Sequence, residues 1–156
     1  MSCHIDSKEK RENRLQLLID MIRIDTTGGK EAALAEMLAE RLAAVGIEGR
    51  LESVESGRFN LVACLPGRNR GNKLVLNAHL DTVPVGAGWT KDPFGAEIAD
   101  GKLFGRGSSD TKSSLAAMAM VMIEFAREGI ELEHDLVFLG TAGEEKDMAG
   151  ARAFVA

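Results

Sequence analysis

Apolar residues recur along this chain with two different periods. Over residues 9–24, Leu15, Leu18, Ile19 and Ile22 fall at helical spacing and predict an amphipathic helix. The polar run Asp25-Thr26-Thr27-Gly28-Gly29 ends it. A second helix is expected over residues 30–45, with Ala33, Leu34, Met37, Leu38 and Leu42 along one side and Gly46 as its stop. Residues 47–54 read as a polar, edge-like strand. Residues 59–65 and 73–77 read as more buried strands joined by a turn over 66–71. A long irregular stretch follows, 82–110, with a hairpin turn expected at Asp100-Gly101. Residues 111–128 are apolar nearly all round the helical wheel and end at Gly129, as suits a helix packed on a sheet. Residues 135–140 predict a strand, and 149–156 the opening of another helix.

Helices alternating with strands predict an α/β fold, its sheet mostly parallel or mixed and flanked by helices. The chain has 156 residues, enough for one ordinary domain with a real core. The apolar fraction of 45% and charged fraction of 28% are those of a soluble globular protein. A net charge of −5 argues against nucleic acid or an anionic membrane as the main partner. The stretch 115–126 is the most apolar, and it falls well short of the roughly 20 residues a spanning helix needs. Residues 1–13 are charged and carry no signal-like apolar core. Cys3 and Cys64 are too few for a disulfide framework, so a reducing cytoplasm is expected. Cys3-His4 could touch a metal, but a frayed terminus is the plainer reading.

Chemistry concentrates at three places, each just after a strand or just before a helix, where open α/β sheets gather ligands. His79-Leu80-Asp81 follows the strand around Val75. Residues two apart on an extended segment point the same way, so Asp81 is placed to hold the His79 ring or support its ligation. Alone, the pair also reads as a surface histidine. Asp110 closes Gly105-Arg106-Gly107-Ser108-Ser109-Asp110 and equally suits a helix N-cap. That run lacks the third glycine of a dinucleotide loop, and Gly28-Gly29-Lys30-Glu31 is no phosphate loop. Glu144-Glu145 reads as a solvated acidic turn or as a carboxylate pair facing a cation, since burying both without one is costly. One imidazole with several carboxylates suits zinc, and cobalt or manganese fit similar ligands.

Four segments in order carry a resemblance. They are His79-Leu80-Asp81-Thr82-Val83-Pro84, Trp89-Thr90-Lys91-Asp92-Pro93-Phe94, the run 100–112, and Thr141-Ala142-Gly143-Glu144-Glu145. Together they resemble the co-catalytic zinc peptidases and deacylases, the family that includes acetylornithine deacetylase, succinyl-diaminopimelate desuccinylase and carboxypeptidase G. The resemblance implies two zinc ions per complete site. His79 would ligate one, Glu145 the other, and Asp110 would bridge them. Glu144 would act as general base and Asp81 as the partner of His79. It further implies hydrolysis of an amide in a small N-acyl amino acid or a short peptide. Where the family has Met-Lys-Gly after the bridging aspartate, this chain has Thr111-Lys112-Ser113. The family also has a further acidic ligand, a distant histidine and a smaller lid domain, none of which residues 1–156 supply. The chain is thus expected to be the amino-terminal portion of a single metallohydrolase catalytic domain, inactive alone, with self-association at an open sheet edge. A non-catalytic metal-binding or self-associating fragment, and an aminopeptidase of the same site plan, are the alternatives.

Overall fold

The computed structural model describes residues 8–55 and 57–156; Cys3-His4 lies outside them. Two helices come first, α1 (Lys8–Ile22) and α2 (Ala32–Ala43). Three strands follow, β1 (Gly49–Glu55), β2 (Arg58–Leu65) and β3 (Gly67–His79). A short hairpin, β4 (Glu97–Ala99) and β5 (Lys102–Phe104), precedes α3 (Lys112–Glu128). The chain then runs through β6 (Leu132–Thr141) and α4 (Ala149–Val155).

The main sheet has the order β1-β2-β6-β3. β6 pairs antiparallel with β2 and parallel with β3, so the sheet is mixed. β6 is buried from Asp135 to Thr141, as a central strand covered on both sides must be. Phe138 on β6 and Leu61 on β2 meet Met21, Leu34, Leu38, Leu42, Leu115 and Met122 of the three helices in one fully buried core. α3 holds neither Gly nor Pro, which favours the helix, and it buries Leu115, Ala119, Met122 and Ile123 against the sheet side. Its outer side is nonetheless wet, with Val121 at 41% exposure. Gly129 ends it in the left-handed region at φ 61°, where a Cβ is disfavoured.

Two expectations require correction. Residues 66–71 do not form a turn between neighbouring strands. β3 already begins at Gly67, whose partner is Leu132 at the start of β6. The polar run Arg68 to Gly71 crosses as a ladder with an irregularity between Asn69 and Lys73. Asp135 makes this possible: its buried carboxylate accepts the Gly67 amide (2.9 Å) and pairs with Arg70 (3.0 Å). Gly67 is required there, since a Cβ would lie 2.3 Å from the His134 carbonyl carbon. Nor is β3 a buried strand. It is the edge of the sheet, with Leu74 60% and Val75 41% exposed, because β6 lies between it and β2.

The expected hairpin is present, with Asp100 (φ 51°) and Gly101 (φ 71°) both left-handed, as a two-residue primed turn demands. The rest of the long segment is fastened by Arg106. Its guanidinium donates to the carbonyls of Pro84 (3.2 Å) and Val85 (3.1 Å) and stacks over Trp89. Thr82 is tied to the loop after α1 through its amide on the Thr26 carbonyl, 3.2 Å.

Candidate metal centre

His79 ends β3 opposite Thr141, the last residue of β6. Two parallel strands therefore finish level with each other, and the segments leaving them share one end of the sheet. The His79 side chain is nearly buried. Its Nδ1 lies 2.9 Å from the Asp81 carbonyl oxygen, which can only accept, so the ring donates from Nδ1. That leaves a lone pair on Nε2. Nε2 stands 3.0 Å from Oδ1 of Asp110 and 3.8 Å from Oε2 of Glu144. A lone pair facing carboxylates needs a proton or a cation between them. Ligand atoms of His79, Asp110 and Glu145 all lie within 4.8 Å of one another, a donor set that fits a divalent ion. Asp110 is 77% exposed and Glu144 45%, so the site is open toward solvent.

Asp81 meets the ring through its main chain. Its carboxylate stands 3.8 Å from Nδ1 and is engaged elsewhere, accepting the amides of Glu144 (3.0 Å) and Glu145 (3.1 Å). One residue thus fixes the imidazole and the turn bearing both glutamates. The turn itself is built on Gly143 at φ 74°, whose carbonyl accepts the amides of Asp147 (3.1 Å) and Met148 (2.7 Å). Asp110 does not cap α3; Thr111 holds that position and its side chain makes no capping bond.

Burial works against the charged form of His79. The Asp81 carbonyl, the Asp110 carboxylate and the charges of Asp81 and Glu144 outweigh it, and the net shift is upward. A cleft of about 540 Å³ borders the cluster, lined in part by Gly28, Arg58, Asp81, Glu145 and Lys146. Asp147, the last acid of the sequence, accepts the Ala149 amide (3.0 Å) and faces Arg58 at 3.6 Å.

The sequence motifs assigned no role to several buried polar residues around the site. Lys112 is fully buried, and its ammonium donates to the carbonyls of Met21 (3.0 Å) and Ile24 (2.7 Å) at the end of α1. Burial lowers its pKa to about 8. Asn60 accepts the Ala142 amide (3.0 Å) and donates to the Gly150 carbonyl (2.8 Å), tying the end of β6 to α4. Glu31 and Arg58 form a buried ion pair. The available signal was the polar pair Arg58 and Asn60 at alternate positions of an otherwise apolar strand.

The family model for peptidase family M20/M25/M40 matches residues 75–156. The chain belongs to this family. All five site residues picked out by motif, His79, Asp81, Asp110, Glu144 and Glu145, fall within the matched stretch. The chain is 34% identical over 143 residues to a probable succinyl-diaminopimelate desuccinylase of Staphylococcus epidermidis, covering 90% of this chain and 35% of that protein. It is 38% identical over 133 residues to an acetylornithine deacetylase of Proteus mirabilis, covering 83% and 33%. Human carnosine dipeptidase 1 superposes with a TM-score of 0.81 at 19% identity, over 94% of this chain and 35% of that one. This last likeness speaks for the fold alone: a mixed sheet flanked by helices, as found in the M20 family. The chain spans about a third of the length of the curated relatives it matches. Among the described residues, no helix is long and apolar enough to cross a membrane.

Proposed function

We propose that residues 1–156 form the amino-terminal portion of a single metallohydrolase catalytic domain that cleaves amide bonds in N-acyl amino acids or short peptides. The observation that carries this reading is the convergence of His79 Nε2 with the carboxylates of Asp110 and Glu145 at one end of the sheet. His79 and Glu145 would hold one zinc each and Asp110 would bridge them. A zinc ion held by these residues would supply Lewis-acid polarisation of a carbonyl and a lowered pKa of bound water. Asp81 keeps the lone pair of Nε2 directed at the site because its main-chain carbonyl accepts a hydrogen bond from Nδ1–H. Glu144, beside Nε2 and open to solvent, takes the proton of the attacking water and delivers it to the leaving amine. The names of the M20 relatives above, a desuccinylase and a deacetylase, favour an N-acyl amino acid as substrate. Two cysteines, with Cys64 free, suit a reducing cytoplasm.

A catalytic zinc takes three protein ligands, and these residues supply about two per ion, so metal uptake without turnover is expected of this chain alone. Titration with zinc followed by calorimetry tests the reading. Saturable uptake that Asp110→Asn abolishes is the expected result; uptake unaffected by that substitution overturns the bridging role. Any hydrolysis of N-acetyl amino acids should fall by a factor of roughly 10²–10⁴ in Glu144→Ala. A self-associating, non-catalytic fragment is the second reading, favoured by the exposed apolar edge at Leu74 and Val75.

A further inference from the structure

The turn that carries Glu144 and Glu145 is held on one side by the Asp81 carboxylate. On its other side stands Arg58, a residue outside the family-matched stretch. A Cβ built on Gly143 would lie 2.1 Å from Nη2 of Arg58 and 3.0 Å from its guanidinium carbon. The guanidinium therefore packs directly against the backbone from which the glutamate pair springs. Its Nη1 also reaches Asp147 at the far end of the same turn, 3.6 Å away.

Arg58 is itself fixed from below. Its Nε donates to Oε1 of Glu31 at 2.8 Å, and Glu31 is wholly buried at the start of α2. The second oxygen of Glu31 is buried without a hydrogen-bond partner among the described residues. Glu55 adds a third carboxylate at 3.2 Å from Nη1. Arg58 borders the cleft beside Glu145, where an arginine invites the reading of a substrate-carboxylate clamp. The charges oppose that reading. One guanidinium faces Glu31, Glu55 and Asp147, so the cation is already outnumbered. Burying Glu31 makes sense only if its charge is compensated, and only Arg58 compensates it among the described residues.

Resting on the reading of the metal centre given above, we infer that Glu31 and Arg58 are a positioning pair: α2 fixes Glu31, Glu31 fixes Arg58, and Arg58 fixes the Gly143–Asp147 turn that presents Glu144 and Glu145. Outer partners of this kind orient ligands without touching the ion.

Amide hydrogen exchange on the 156-residue chain tests this without any metal, in Arg58→Met, Arg58→Lys and Glu31→Gln. The amides of Glu144 and Glu145 should exchange at least about tenfold faster in Arg58→Met, while those of Val137 to Leu139 in the middle of β6 keep their protection. Arg58→Lys should restore part of the protection, since it keeps the charge but not the fork. Unchanged exchange at Glu144 and Glu145 overturns the inference. So does a loss spread evenly over β6, which would mark the pair as general support for the fold. Should Arg58→Met not fold, the comparison of Glu31→Gln with Arg58→Lys decides in the same way. In a parallel titration, Co²⁺ affinity should fall roughly 10–100-fold in Glu31→Gln. A wild-type chain that takes up no Co²⁺ would defeat the reading of the metal centre, and the exchange result would still decide the positioning pair.

Discussion

His79 answers to pH in opposite senses with and without an ion on Nε2. In the metal-free chain its pKa is raised above the ordinary histidine value, chiefly because the Asp81 carbonyl and the Asp110 carboxylate outweigh burial. The imidazolium therefore stabilises the fold fully below the unfolded value near 6.5, and that contribution is lost as pH rises through the raised folded value. Zinc requires the neutral ring, so loaded protein should gain stability over the same interval as proton competition fades. Urea unfolding from pH 6 to 8, with and without zinc, should give slopes of opposite sign; equal slopes would show that His79 does not carry the ion. The candidate ligands His79, Asp110 and Glu145 were legible because their types and order are unusual for a surface. The manner in which Asp81 works was not. The i, i+2 rule places both side chains together only on an extended segment, and β3 ends at His79 itself. Glu31 and Arg58 were illegible for another reason. Glu31 alone looks like a solvated charge, Arg58 shows only as a polar break beside Asn60 in an apolar strand, and the tertiary fold is what pairs them.

At the scale of elements, helices were the more readable because their boundaries carry local chemistry. Gly129 is the clearest case. A Cβ there would meet nothing within 4 Å, so Gly129→Ala isolates the cost of the left-handed backbone. It should destabilise the chain by roughly 1–2 kcal/mol, read as a lower urea midpoint at unchanged m-value. A loss near zero would mean that the end of α3 rearranges freely. β2 was legible from its apolar run. The first part of β3 was not, since Gly67 to Gly71 contains turn residues and no apolar alternation. Its pairing depends on Asp135, more than sixty residues away, and no local pattern encodes such a partner.

Over the whole molecule, the alternation of elements sufficed to give the α/β class, but strand order was beyond it. The insertion of β6 between β2 and β3 leaves an edge bearing Leu74 and Val75. Such an edge invites pairing with a second chain unless a charge blocks it. Sedimentation velocity should show concentration-dependent association of residues 1–156 that Leu74→Lys diminishes, with thermal stability little altered because the site is exposed. Association untouched by the lysine would place the contact elsewhere. The shared ending of β3 and β6 has one more consequence. Sliding β3 by a single residue against β6 would turn His79 to the opposite side of the sheet and carry Leu76 and Ala78 off the core face with it. Ion capture by this chain would therefore report on correct strand alignment, a property that compactness or helix content alone does not reveal.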